Sequence, residues 1–190
     1  LSSSYCVVLD TEKTLPMQDY IGFAEKNGIT LLDHGNCQFC GAKTSRGIHE
    51  CLEIFNLGFQ KIDFSNIENH LYRFFIVDAH TLQHSEIHGR WNNHFHLTRL
   101  HLIFKYGVQW SYALSPELSD HLNKYKLKHQ DEFLSPPKVL QRGELTTTDI
   151  QQAQSESECK KLIENWAENV YEKWRAHHVV VDSIAQAFLK

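Results

Sequence analysis

Apolar residues recur along this chain at three- and four-residue steps, and two-residue alternation is confined to one stretch, "YCVVLD". The segment "LPMQDYIGFAEKNGI" predicts a short helix, with Pro16 suited to a first turn and Gly28 to the left-handed position after a last turn. A cysteine-bearing loop follows, punctuated by Gly35 and Gly41. A helix should start near Arg46 to His49 and run through "ECLEIFNLGF". Residues 65–84 predict a long helix with Ile67, Leu71, Phe75 and Leu82 on one stripe, broken by "HGRWN". The next helix covers "NHFHLTRLHLIFKYG", closed by Gly107.

"SPELSDHLNKYKLK" predicts a shorter amphipathic helix with Ser115 as cap and Pro116 in first position. "SPPKVLQRGE" is non-helical, after which Thr147 or Thr148 caps a short helix. The last helix is expected from about 157 to 188, with Ile163, Trp166, Val170, Trp174, His177 and Val181 on one stripe. The pattern therefore predicts a mainly α fold, a helical bundle of four or more helices with an N-terminal Cys-containing, zinc-knuckle-like loop. The organisation expected is a single helical domain over 1–190. Within it lie an N-terminal extension at 1–35, a Cys-rich loop at 36–51 and the bundle at 52–190.

Composition changes the picture in two places. A chain of 190 residues that is 42% hydrophobic can bury a core without staples. A formal charge of -4 gives no basic face for nucleic acid, and no apolar run approaches the length of a membrane span. The start, "LSSSYCVVLDTEK", lacks a basic-then-apolar leader and an initiator Met, and reads as a processed or trimmed end. Five cysteines are an odd set, which argues against a secreted disulfide scaffold and for free or metal-bound thiols in the cytoplasm. Seven of the thirteen histidines fall between His70 and His101.

Three cysteines and a histidine crowd into "NCQFCGAKTSRGIHEC". "CQFCG" is a C-x-x-C turn with Gly after the second Cys, a spacing that lets Cys37 and Cys40 share one cation. Zinc in a closed site takes four ligands, so two more must come from elsewhere. Cys51, on the first turns of the following helix, is the third candidate, and His49 points to another side of that helix. A histidine from the long helix is the fourth, with His84 favoured over His49, His80, His96 and His178. Dithiol redox catalysis would need a strand-then-helix setting that is missing here. Three ordinary cysteines in a loop and a helix remain the plain alternative.

Periodicity sorts the remaining histidines. His96 shares a stripe with Leu100 and Ile103 and should face the core, whereas His94 and His101 should face solvent. His80 and His84 line up four apart, His84 and His88 repeat the interval, and His177 or His178 should turn inward. His34, His70, His121 and His129 read as surface residues. Asp78 lies on the apolar stripe and needs a partner: a metal-bound or catalytic histidine it orients, or an arginine such as Arg73 or Arg99.

The series "CQFCGA", "CLEIF", "VDAHTLQH", "HL" at His96 and "WAENVYEKWRAHH" resembles an uncharacterised bacterial family known only as a domain of unknown function. The resemblance spans roughly residues 36–186. It places Cys37, Cys40, Cys51, Asp78, Gln83, His84, His96, Trp166, Trp174 and His178 on motif positions. His80, Ser85 and Tyr171 depart from it, standing where Tyr, Pro and Trp are usual. It implies no reaction.

Two functions from different classes fit these residues. One is a small cytoplasmic protein whose zinc is structural and whose role lies in binding an unknown protein or small-molecule partner. The other is a metalloenzyme with an open metal position lined by His84, His96 or His178. A redox switch that releases zinc on oxidation would use the same cysteines. H-E-x-x-H, G-x-S-x-G and a Gly-rich phosphate loop are all missing, and neither nucleic acid nor membrane is expected as a partner.

Overall fold

The computed structural model describes residues 17–190. Pro16, Cys6 and the strand expected at "YCVVLD" lie outside the described residues. Among the described residues eight α-helices follow in order: α1 (Met17–Lys26), α2 (Gly47–Gly58), α3 (His70–Gln83), α4 (Asn92–Tyr106), α5 (Leu114–Lys128), α6 (Thr147–Gln151), α7 (Glu156–Lys173) and α8 (His178–Phe188). Among the described residues the sole β feature is an isolated bridge between Gly35 and Arg46, so the class is mainly α.

The main core lies where α3 meets α7 and α4, around Phe75, Leu82, Leu97, Ile163, Trp166, Val170 and Trp174. The three-and-four spacing of the α7 residues puts them on one stripe, and burying it against α3 is the chief gain of the fold. Ile67, expected on the α3 stripe, instead belongs to a 3₁₀ turn (Ile67–Asn69) ahead of the helix and is exposed. A smaller second cluster gathers Tyr20, Ala24, Phe39, Ile48 and Ile87 around Cys37, Cys40 and Cys51. A third packs Phe74, Leu102, Trp110, Leu118 and Ile184 between α4, α5 and α8.

Three expectations are corrected. The terminal helix is two helices, because Arg175–His177 tightens into a 3₁₀ turn after the fully buried Trp174. An unbroken helix over 157–188 would run about 48 Å, and the turn instead brings α8 back onto α4. Ala113, not Ser115, occupies the cap position of α5; the Ser115 hydroxyl accepts a bond from Trp110 Nε1 at 3.2 Å. Helix α6 begins one residue earlier than expected, under a capping box in which Thr146 and Asp149 satisfy each other's backbone.

His94 and His101 are buried, not solvent-facing. Helix α4 is wrapped by α3, α5, α7 and α8, so it has little solvent face to offer. His101 is satisfied there: Nε2 donates to Asp182 Oδ1 at 2.9 Å and Nδ1 accepts from the Tyr171 hydroxyl at 2.9 Å. His94 stacks on Trp91 with ring centroids 4.1 Å apart, and among the described residues neither of its ring nitrogens has a hydrogen-bond partner.

Candidate metal centre

The loop ahead of α2 is built by backbone bonds that glycine makes possible. The C-x-x-C turn closes through Gly41 N donating to Cys37 O (2.9 Å) and Cys37 N donating to Ala42 O (3.0 Å). Gly41 takes a φ of 79°, the left-handed region that glycine enters freely. Gly47, which opens α2, has a φ of 56°, and a Cβ there would lie 2.1 Å from the Leu32 carbonyl oxygen. Only glycine lets the loop pass that close to the helix start.

The turn aims Cys37 and Cys40 at the second turn of α2, where Cys51 waits, and at the C-terminal end of α3, which His84 caps. The Sγ atoms of all three cysteines and a ring nitrogen of His84 lie within 4.8 Å of one another, all four residues being buried. Cys40 Sγ to Cys51 Sγ is 3.7 Å; His84 Nε2 is 3.4 Å from Cys37 Sγ and 3.5 Å from Cys51 Sγ. A Cys₃His donor set at these separations can hold a metal ion.

His84 is aimed by its own helix. The His80 carbonyl accepts the His84 backbone N–H at 3.1 Å and also the Nδ1–H at 2.7 Å, which fixes the tautomer and leaves Nε2 free as a donor. The His80 ring stacks on the His84 ring with centroids 3.9 Å apart, and Phe55 covers the His80 ring from 4.1 Å. His80 thus orients and covers the ligand candidate, and its spacing four residues away reflects that contact. The Thr147 hydroxyl stands 3.5 Å from Cys51 Sγ, a donor from α6 that can steady a thiolate.

The electrostatics fit a site for a cation. Hydrogen bonds from Cys40 and Cys51, with His84 nearby, outweigh burial and hold the Cys37 thiol well below its ordinary range. The same thiol–thiol bonding, added to burial, pushes Cys40 up. Burial would make the His84 ring neutral, but the charges of Cys51 and Cys37 raise it to about 10. Loading the site with a cation releases the protons its thiols and imidazole carry.

The other residues considered lie elsewhere. His49 accepts at Nδ1 from the Tyr20 hydroxyl at 2.8 Å, on another side of α2. His88 is buried and held neutral by that burial, down to about 3. His178 is half-buried, with Nε2 donating to the Tyr171 carbonyl at 3.0 Å. His177 is also half-buried and bonds to Ser135 O at 2.7 Å. Asp78 takes both partners open to it, neither at the metal centre: Arg99 Nε at 2.8 Å and His96 Nδ1 at 2.6 Å.

Two contributors were not evident from spacing. One is Thr147, which the Thr146–Asp149 capping pattern could have placed at a helix start. The other is the strap over 134–146, whose Leu140 N donates to Phe39 O within the C-x-x-C turn at 3.1 Å. Arg142 on the same strap grips Glu86 and donates to Gln83 O at 3.1 Å, just before His84.

Residues 35–175 match a family of unknown function (DUF5946), and the chain belongs to that family. The match takes in all four donors together with the strap. Neither a curated protein nor a solved structure matches the chain. Among the described residues, no helix is long and apolar enough to cross a membrane.

Proposed function

We propose that this member of the family binds one zinc ion through Cys37, Cys40, Cys51 and His84, and that the zinc is structural. The observation that carries the reading is the edge lengths of the donor cluster. Zn–S near 2.3 Å and Zn–N near 2.0–2.1 Å in a tetrahedron put sulfurs about 3.8 Å apart and sulfur and nitrogen about 3.6 Å apart. The separations here are 3.7 Å and 3.4–3.5 Å.

Four protein donors complete such a tetrahedron, and the donors are at most 7% exposed. That favours a closed structural site over an open catalytic one. His96 and His178, which an open site would have used, stand apart from the cluster. The ion would tie the loop, α2 and the end of α3 together, a cross-link worth on the order of 10 kcal/mol in small zinc modules. Buried thiols kept for a metal suit a reducing compartment, which supports a cytoplasmic protein that acts by binding a partner or ligand.

Metal analysis of protein purified without added metal tests this. One zinc per chain is expected, lost in Cys37→Ser and Cys40→Ser together with part of the thermal stability. Metal lost with stability unchanged would favour a switchable site. Fully reduced protein with no bound metal would overturn the reading.

A further inference from the structure

A second feature lies outside the metal centre. Between α4 and α5 is a cleft of about 440 Å³, within the range of small-molecule sites. One wall is aromatic, from Trp91 and Phe95; Ser119 and Asn123 offer neutral polar groups; Lys126 supplies a cation, and among the described residues no carboxylate lines it. Lys126 Nζ sits 5.5 Å from the Trp91 ring centroid, so charge and aromatic wall adjoin. His96 completes the lining.

His96 is backed as a proton acceptor is backed in enzymes. Its Nδ1–H donates to Asp78 Oδ1 at 2.6 Å, and the Asp78 carboxylate is wholly buried. Arg99 holds the other side of that carboxylate, Nε to Oδ2 at 2.8 Å. With Nδ1 engaged, Nε2 is the ring nitrogen left to the cleft, where the side chain keeps 13% of its surface exposed. Burial lowers the His96 pKa against the pull of Asp78, which keeps that nitrogen an acceptor. A purely structural Asp–His–Arg cluster would not need its histidine at the wall of a cavity.

We propose that this cleft binds a small hydroxylated organic anion, in its simplest form an aromatic hydroxy acid. The hydroxyl donates to His96 Nε2, the apolar body lies against Trp91 and Phe95, and the acid group meets Lys126. His96, oriented by Asp78, is then the group that accepts the hydrogen bond of the ligand's hydroxyl.

The test is a titration of the full, metal-loaded chain with 4-hydroxybenzoate, followed by amide and imidazole nitrogen NMR. Saturable shifts are expected in residues 91–96 and 115–126 and at the His96 ring. Loss of the donor in 4-methoxybenzoate, or of the anion in 4-hydroxybenzylamine, should each weaken binding roughly tenfold, as loss of one good polar contact does. Lys126→Gln should do the same for both benzoates and should not weaken 4-hydroxybenzylamine. Ser119→Phe, at an exposed position on the cleft rim, should abolish binding with the fold and metal content unchanged, and His96→Phe, which removes the acceptor of that same hydrogen bond, should weaken 4-hydroxybenzoate roughly tenfold. The proposal is overturned if 4-hydroxybenzoate does not saturate by about 10 mM, if binding survives Ser119→Phe, or if all three probes bind alike.

Discussion

Cys51 Sγ and His84 Nε2 stand 3.5 Å apart although 33 residues separate them in sequence. One belongs to the small cluster around the loop and the other ends a helix of the main core. The contact is a joint between two hydrophobic clusters.

Metal removal should therefore loosen one cluster and spare the other. With a chelator at neutral pH, amides of 35–51, Gly41 and Ala42 among them, are expected to lose hydrogen-exchange protection, while α3, α4 and α7 keep theirs. His84→Gln should reproduce the pattern. Uniform loss of protection across all helices would show instead that the joint holds the whole bundle.

Gly47→Ala meets two obstacles, a φ of 56° and a carbonyl 2.1 Å from its new Cβ. Left-handed strain plus overpacking should cost about 2–4 kcal/mol. Gly28→Ala makes the control: its φ is 67°, but its Cβ meets nothing within 4 Å, so only the strain remains, about 1 kcal/mol. Urea unfolding of the two variants measures the difference.

His94 is neutral in the folded state because burial lowers its pKa to about 4. Its depressed folded value means its contribution is intact above the unfolded value near 6.5 and is lost as pH falls toward 4. His94→Phe, which keeps the stacking on Trp91, should stabilise the protein by about 1 kcal/mol at pH 7 by removing two unpartnered ring nitrogens. The advantage over wild type should widen between pH 6.5 and 4. Melting temperatures across that range check both parts.

Asp78→Ala leaves Arg99 a buried cation without its carboxylate, and should cost about 3–5 kcal/mol. His96→Ala, which leaves that pair whole, should cost about 1–2 kcal/mol. Replacing Asp78 and Arg99 together by Leu and Met should recover much of the single-variant loss. Chemical denaturation of the set measures it, and equal losses from Asp78→Ala and His96→Ala would show that the ion pair is not the dominant partner.

The helices were legible where one apolar stripe faced one core, as on α7 with Ile163, Trp166 and Val170. They were misread where a helix is surrounded: α4 buries His94 and His101 on what its own periodicity marks as the polar side. The C-x-x-C turn and the helix-borne Cys51 could be read locally, because Gly41 and the start of α2 announce themselves. His84 could be proposed from its distance along the chain and its place on a histidine-rich helix. Its aim through the His80 carbonyl is a property of the helix end and left no mark in spacing. Nor could a sequence show the strap, which has no periodicity of its own and is placed by bonds to other elements, those of Leu140 and Arg142 among them.

That strap has a further consequence. Leu140 is held at a φ of 65°, unusual for a branched residue, where its N–H reaches Phe39. Toward its start, Leu134 O accepts from Asn93 on α4 at 3.2 Å and Ser135 O from His177. One irregular ribbon thus touches the cysteine turn at its middle and, at its start, both α4 and the elbow between α7 and α8. Being neither helix nor strand, it has no shape to fall back on when an end lets go. The cysteine turn and the elbow between α7 and α8, more than a hundred residues apart in sequence, are thus contacted by the same short irregular piece of chain, which belongs to neither cluster's helices.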